Sequence, residues 1–296
     1  MRALLIIAAL TVLDGSAQTP QSPQSVAVFE VSKSESTLLV GPIVILTFRE
    51  HTRPTGPEFS PPIPHTTGIT PSADFNEFEQ AYYKPGTQLN VYFGGEARGL
   101  ATIRNSNILG REGGCRALTA EVSSEIAAPG MIATTLSSEV GGHKSTRRPA
   151  TVAEKAVLRK LAIEWLGDYG LDKNLLVHGK LGMVTSTELR KGKRAIIGLF
   201  DVRAKRATHR LFVIAEIREA TYKTTLAELR IQQEPEMGGQ DRQEIEFIDQ
   251  LDLDGDYEDE VITVEHRYES WNYTIWKFNG YNKAWQSIYT GGGGGC

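Results

Sequence analysis

No stretch of this sequence offers the ~20 consecutive apolar residues that a membrane-spanning helix needs, and the longest early run, Ala3 to about Leu13, falls short of it. Charge of one sign is lacking too. Lys and Arg number 32 against 36 Asp and Glu, a net of −4, so no whole-chain attraction to nucleic acid or a membrane follows. The basic runs RKGKR (190–194) and RAKRATHR (203–210) carry no interleaved aromatics. That excludes the usual single-strand-binding pattern, and they read as solvated turns at strand ends. The six histidines, His51, His65, His143, His178, His209 and His266, make no zinc spacing. A G-x-S-x-G elbow, a phosphate-binding loop and a dinucleotide fingerprint are all missing, so no reaction class can be named. Cysteine is scarce, with only Cys115 and Cys296.

What is present begins with the first residues. Arg2 precedes the apolar run, and small residues follow, with Gly15 and Ala17 at the −3 and −1 positions of a cleavage after Ala17. This is the layout of a secretory signal peptide over 1–17, so the mature chain is expected to be secreted or periplasmic. In that compartment the two cysteines are read in three ways. Cys115 pairs with Cys296, which the flexible run Gly291–Gly295 brings within reach; or Cys296 is an exposed thiol for attachment; or the tail has no role.

The chain then divides by composition. Residues 18–37 start polar and proline-rich, which predicts a mobile leader onto the first strand. Residues 38–138 read as an N-terminal β-rich domain, with LLVGPIVILTF as a strand pair broken near Gly41-Pro42 and 51–72 as a long proline-rich loop. EVGGHKSTRRPA, 139–150, is a linker by composition. The one persuasive helix follows over 151–170. Thr151 and Glu154 form a capping-box pattern, and Val157, Leu161, Trp165 with Leu158, Ala162, Leu166 make one apolar face. That face is read as packed on a core.

From about 175, two successive sets of four strand-like runs appear, the second being EIEFIDQ, DEVITVEHRY, NYTIWKFN and KAWQSIYT. The fold class is therefore mainly β with one packed α-helix. Antiparallel four-stranded units make up its C-terminal half (151–290), either propeller-blade-like or as a sandwich. Residues 291–296 form a glycine tail with a terminal cysteine.

The densest chemistry lies in DLDGDYEDE, 252–260, with six carboxylates in nine residues between two strand-like runs. Asp252, Asp254 and Asp256 hold positions 1, 3 and 5, Glu260 position 9, and Gly255 permits a sharp turn. Carboxylates at alternate positions of a tight loop can converge on one hard cation, and calcium wants six to eight oxygens. The carbonyl of Glu258, at position 7, fills a gap. The EF-hand pattern does not fit, because position 12 is Thr263 and strand-like runs flank the loop. DLDGDYEDEVI resembles the D-x-[DN]-G-D-G-x-x-[DE] loop of FG-GAP or VCBS repeats in integrin-α-like β-propellers, over residues 244–289. That resemblance implies Ca2+ held by Asp252, Asp254, Asp256 and Glu260 side chains and the Glu258 carbonyl, between the first two strands of a blade. Tyr257 stands where the family carries glycine.

Aromatics crowd the last strands, and Tyr273, Trp276 and Trp285 are candidates for a ligand face that meets an extracellular protein or glycan. Against this, their alternation also suits the core of the final sheet. The expectation is a secreted, calcium-stabilised, β-rich binding or structural module with no catalytic activity evident. The alternative is a secreted hydrolase whose catalytic groups meet only in three dimensions.

Overall fold

The computed structural model describes residues 24–49, 56–62, 73–107, 118–137, 139–204, 206–233, 244–268 and 270–295. The segment 1–17, Cys115 and Cys296 lie outside them. Strands make up 62% of the structure and helices 12%, so the mainly β class holds.

The first half is a six-stranded barrel. β1 (Gln24–Ser34) and β2 (Thr37–Phe48) form a hairpin, and β3 (Glu58–Ser60) lies on the far side of β2. After α1 (Ala73–Tyr82) come β4 (Gln88–Phe93), β5 (Glu96–Asn107), β6 (Thr119–Ser123) and β7 (Met131–Thr135). The order β1-β7-β4-β5-β6-β2, closed by β1–β2 pairing, leaves these six strands without a free edge. Strand alternation builds two cores. Ala27, Phe29, Val31, Leu89, Val91, Ala101 and Ile103 fill the barrel with Phe78 of α1 and Tyr83 just after it. Val26, Val28, Val44, Leu46 and Ile132 point outward.

The segment expected as a mobile leader is thus β1 from Gln24 onward, because VAVFEV alternates between the two cores. Nor are residues 38–48 a broken pair. β2 runs straight through Gly41-Pro42, with an extra residue, Ile43, bulged between Val28↔Val44 and Phe29↔Pro42.

After β8 (Arg148–Pro149), α2 (Val152–Asp168) and α3 (Lys173–Leu176), the strands β9 (Lys180–Arg190), β10 (Lys193–Ala204), β11 (Ala207–Arg218) and β12 (Thr221–Gln233) form a five-stranded sheet with β8 at its edge. Strands β13 (Glu244–Leu251), β14 (Glu260–His266), β15 (Ser270–Asn279) and β16 (Ala284–Gly295) form a four-stranded meander. Three helices are thus present among the described residues where the sequence suggested one. Only α2 has a long apolar face, with Leu158, Ala162 and Leu166 buried at i, i+4, i+8 and the Thr151–Glu154 capping box formed.

The layers stack. One face of the meander (Ile262, Val264, Ile275, Tyr289) lies on the outward face of the barrel. Its other face (Phe247, Val261, Trp276, Trp285) packs on Ile197, Phe212 and Ile214 of the five-stranded sheet. That sheet's far side carries α2 and α3. The C-terminal half is therefore a sandwich of the two sheets. β14 lies between neighbours on both faces, which accounts for its unbroken EVITV run.

The glycine tail is also structure. Gly291, Gly294 and Gly295 pair with Tyr273, Trp271 and Ser270, and Gly292 and Gly293 take φ of 64° and 79°. A Cβ on Gly292 would run into the Ile43 carbonyl oxygen, and one on Gly293 into that of Trp271. The run is glycine because backbone crosses backbone there. As a finding it replaces the flexible tether.

Candidate cation-binding loop

The acidic loop joins β13 to β14, the first two strands of the meander, and their ladder ends at the Leu251↔Glu260 pair. Two anchors fix it. Leu253 is fully buried in the core shared with the barrel. Asp252, also buried, accepts at Oδ1 from the N–H groups of Gly255 (2.7 Å) and Asp256 (3.2 Å), and at Oδ2 from Tyr257 (3.0 Å). This folds the chain around one carboxylate. Burial pushes that carboxyl's pKa up, and the Tyr257 and Gly255 N–H groups oppose the rise. Gly255 (φ 78°) and Tyr257 (φ 68°) are both left-handed. Tyr257 thus takes the backbone conformation for which the FG-GAP pattern supplies glycine.

The loop brings three of the five expected ligands together. Oxygens of Asp252, Asp254 and Glu260 lie within 4.8 Å of one another. Glu260 is 1% exposed and also accepts from Leu253 N–H (2.8 Å). Its pKa is raised to about 8 by burial and by the Asp254 charge. Asp254 Oδ1 is buried with no hydrogen-bond partner. Asp256 sits at the rim and accepts from Glu258 N–H (2.9 Å). Glu258 is outside the convergent group and forms an isolated bridge with Arg190 of β9.

Lys277 of β15 completes the arrangement, and no spacing rule pointed to it. Its Nζ lies 2.6 Å from Asp254 Oδ2, 2.7 Å from Asp256 Oδ2 and 2.9 Å from Glu260 Oε1. Burial works against its charge, yet Glu260, Asp254 and Asp256 hold its pKa well above the usual lysine value. The signal available in sequence was a lysine between Trp276 and Phe278 in a strand next to the acidic turn.

Two further carboxylates, one in β13 and one at the end of the loop, both bind partners from residues 139–150. Asp259, buried, accepts from Gln250 Nε2 (2.6 Å) and faces His143 Nε2 at 2.8 Å from each oxygen. Asp249 meets Arg147 in a buried ion pair and also accepts from Gly94 N–H (2.9 and 3.1 Å). The Arg147 guanidinium lies between the rings of Phe93 and Phe247, at 4.5 and 4.6 Å. Gly141 N–H donates to the Asp252 carbonyl (3.1 Å), and a Cβ there would come within 2.8 Å of the Asp252 carboxylate. The segment read as a linker is therefore a seam fastened to the barrel and the meander.

His143 and Asp259 form an acid–imidazole pair of the kind a hydrolase uses. Here Nδ1 faces the Lys144 carbonyl (3.2 Å) and Nε2 faces Asp259, so neither ring nitrogen is left to activate a nucleophile. A groove of about 140 Å³ at the β9 edge is lined by Thr146, Arg148, Ser186, Thr187, Glu188 and Arg194. Within it Arg148 binds Glu154 with two 2.8 Å bonds, and Ser186 donates to the same carboxylate (3.0 Å).

The candidate ligand face is interior. Tyr273, Trp276 and Trp285 are 4–6% exposed; Tyr273 OH donates to Glu30 (2.6 Å) and Trp276 Nε1 to Thr263 (3.0 Å). Their alternation places them in the cores on either side of the meander. Four aromatics are instead exposed among the described residues, Tyr169, Tyr257, Tyr268 and Tyr281, and the two most exposed are Tyr257, at the tip of the acidic loop, and Tyr281, in the β15–β16 turn. The basic run 190–194 also differs from a wholly solvated turn. Arg190 is mostly buried, binds Glu216 twice (3.1 and 2.7 Å) and stacks 3.5 Å above Phe278. No helix among the described residues is long and apolar enough to cross a membrane.

Comparison of the chain with protein-family models, with curated proteins and with solved structures gives no match.

Proposed function

We propose that the chain is an exported, non-catalytic binding or structural module whose acidic turn is closed by a cation. One observation carries this reading. The carboxylates beside and within the loop, at 249, 252, 254, 259 and 260, all serve to join layers or close the turn, and at least one oxygen of each is already engaged. Chemistry spent on holding three layers together supports a rigid platform. Tyr257 and Tyr281, 84% and 98% exposed, are the most exposed of the aromatic groups such a platform offers to an extracellular protein or glycan. Calcium is the cation that the FG-GAP resemblance implies for such a turn, and the Lys277 ammonium, 2.6 to 2.9 Å from three of its carboxylates, is the rival for that role.

The test pairs two measurements on the purified chain. Chromogenic ester, glycoside and peptide substrates should show no turnover. Glycan arrays and cross-linking in native culture medium or envelope should show saturable binding that Tyr257→Ala with Tyr281→Ala removes. Turnover that obeys saturation kinetics and is lost on His143→Ala would replace this reading with the hydrolase.

A further inference from the structure

We infer that Lys277 is the resident cation of the acidic turn, so that the turn closes without a metal. This rests on the reading of the loop as a cation-closed turn. An ammonium has three N–H donors, and the Lys277 group has three carboxylate partners, at 2.6, 2.7 and 2.9 Å. Two of those lengths lie within the range of charge-assisted N–H···O bonds and the third is just shorter. Each donor therefore has one oxygen, from Asp254, Asp256 and Glu260.

A calcium ion in the same place would need six to eight oxygens. Three of the candidates are those that Lys277 holds. The two on Asp252 already accept three backbone N–H groups, and one on Glu260 accepts Leu253 N–H. Of the side-chain oxygens, Asp254 Oδ1 is the buried one without a partner. Calcium entry would require the ammonium to leave, and Lys277 is carried on a strand whose register is fixed on both sides, by β14 and by β16. The ammonium is a local charge that cannot dissociate from the chain. A metal ion at the same place could be lost to a chelator.

The experiment compares thermal melting of the full chain and its Lys277→Met variant in millimolar calcium and in EDTA, with calcium titration calorimetry on the wild type. The wild type is expected to melt at the same temperature in both buffers and to take up no stoichiometric calcium. Lys277→Met in EDTA is expected to melt roughly 5–10 °C lower, as removal of one partner from buried ion pairs implies. Millimolar calcium should recover part of that loss, because three carboxylates are vacated. Stoichiometric calcium uptake or a calcium-raised melting temperature in the wild type would overturn the inference while leaving the cation-closed turn intact. A Lys277→Met protein that melts like the wild type in EDTA would overturn both. If Lys277→Met does not fold, the wild-type calorimetry still decides the matter.

Discussion

His143 holds Asp259 across 116 residues of chain, with Nε2 2.8 Å from both carboxylate oxygens. The pair ties the 139–147 segment to the start of β14, and His143 N–H also donates to the Gly95 carbonyl of the barrel (2.9 Å). The Asp259 bond raises the imidazole pKa to about 9, against the desolvation that burial brings. This value lies above the unfolded value of about 6.5, so the pair's stabilisation is complete below about pH 6.5 and fades as pH rises through about 9. The ring is 40% exposed, so solvent screening reduces the effect to about 1–2 kcal/mol. Urea titrations at pH 6 and pH 10 should show that loss in the wild type and a smaller one in His143→Gln. Equal losses in both would mean the pair is not the titrating element.

Arg147 and Asp249 should behave as a buried pair. Removing only the arginine leaves a carboxylate that is fully buried, so Arg147→Met should cost about 3–5 kcal/mol. Adding Asp249→Asn to Arg147→Met should return part of the loss. Denaturant midpoints of the single and double variants check this, and an additive double variant would contradict it.

Tyr257 carries a left-handed backbone at an 84% exposed side chain. A non-glycine residue pays about 1–2 kcal/mol for that conformation, and glycine pays about 0.5–1 kcal/mol in lost unfolded-state freedom. Tyr257→Gly should therefore raise stability by up to about 1 kcal/mol. A clear drop in the denaturant midpoint would show that the tyrosine ring contributes to folding.

The glycine-rich end gives the opposite result. Gly292→Ala places a methyl against the Ile43 carbonyl at φ 64° and should cost at least about 2 kcal/mol. Gly280→Ala meets nothing within 4 Å and should be close to neutral. Equal melting temperatures for the two variants would return the tail to a loose tether.

Several features were legible in the sequence for direct reasons. The four-apart spacing of Leu158, Ala162 and Leu166, with Thr151 and Glu154 at the cap, fixes a helix locally. The eight strands of the C-terminal half follow from short apolar runs between turn residues. The acidic loop shows itself by like charges packed between two strands. Alternation in a strand says which residues share a face, but not what that face meets. For that reason Tyr273, Trp276 and Trp285 read as candidates for a ligand face although their alternation also suited a core, and Gly291–Gly295 read as a tether.

The sequence by itself determined the mainly β class, the α2 helix with its cap, and the position of a carboxylate-rich turn, because each depends on neighbours within a few residues. Only the tertiary structure decided that β1 closes a barrel, that the glycine run is a strand crossing Ile43, and that Lys277, His143 and Arg147 are the partners of the acidic groups. Those pairings depend on which sheet faces come together. A carboxylate reveals its charge in the sequence, but the cation that neutralises it is chosen by packing, here from 17 to 116 residues away.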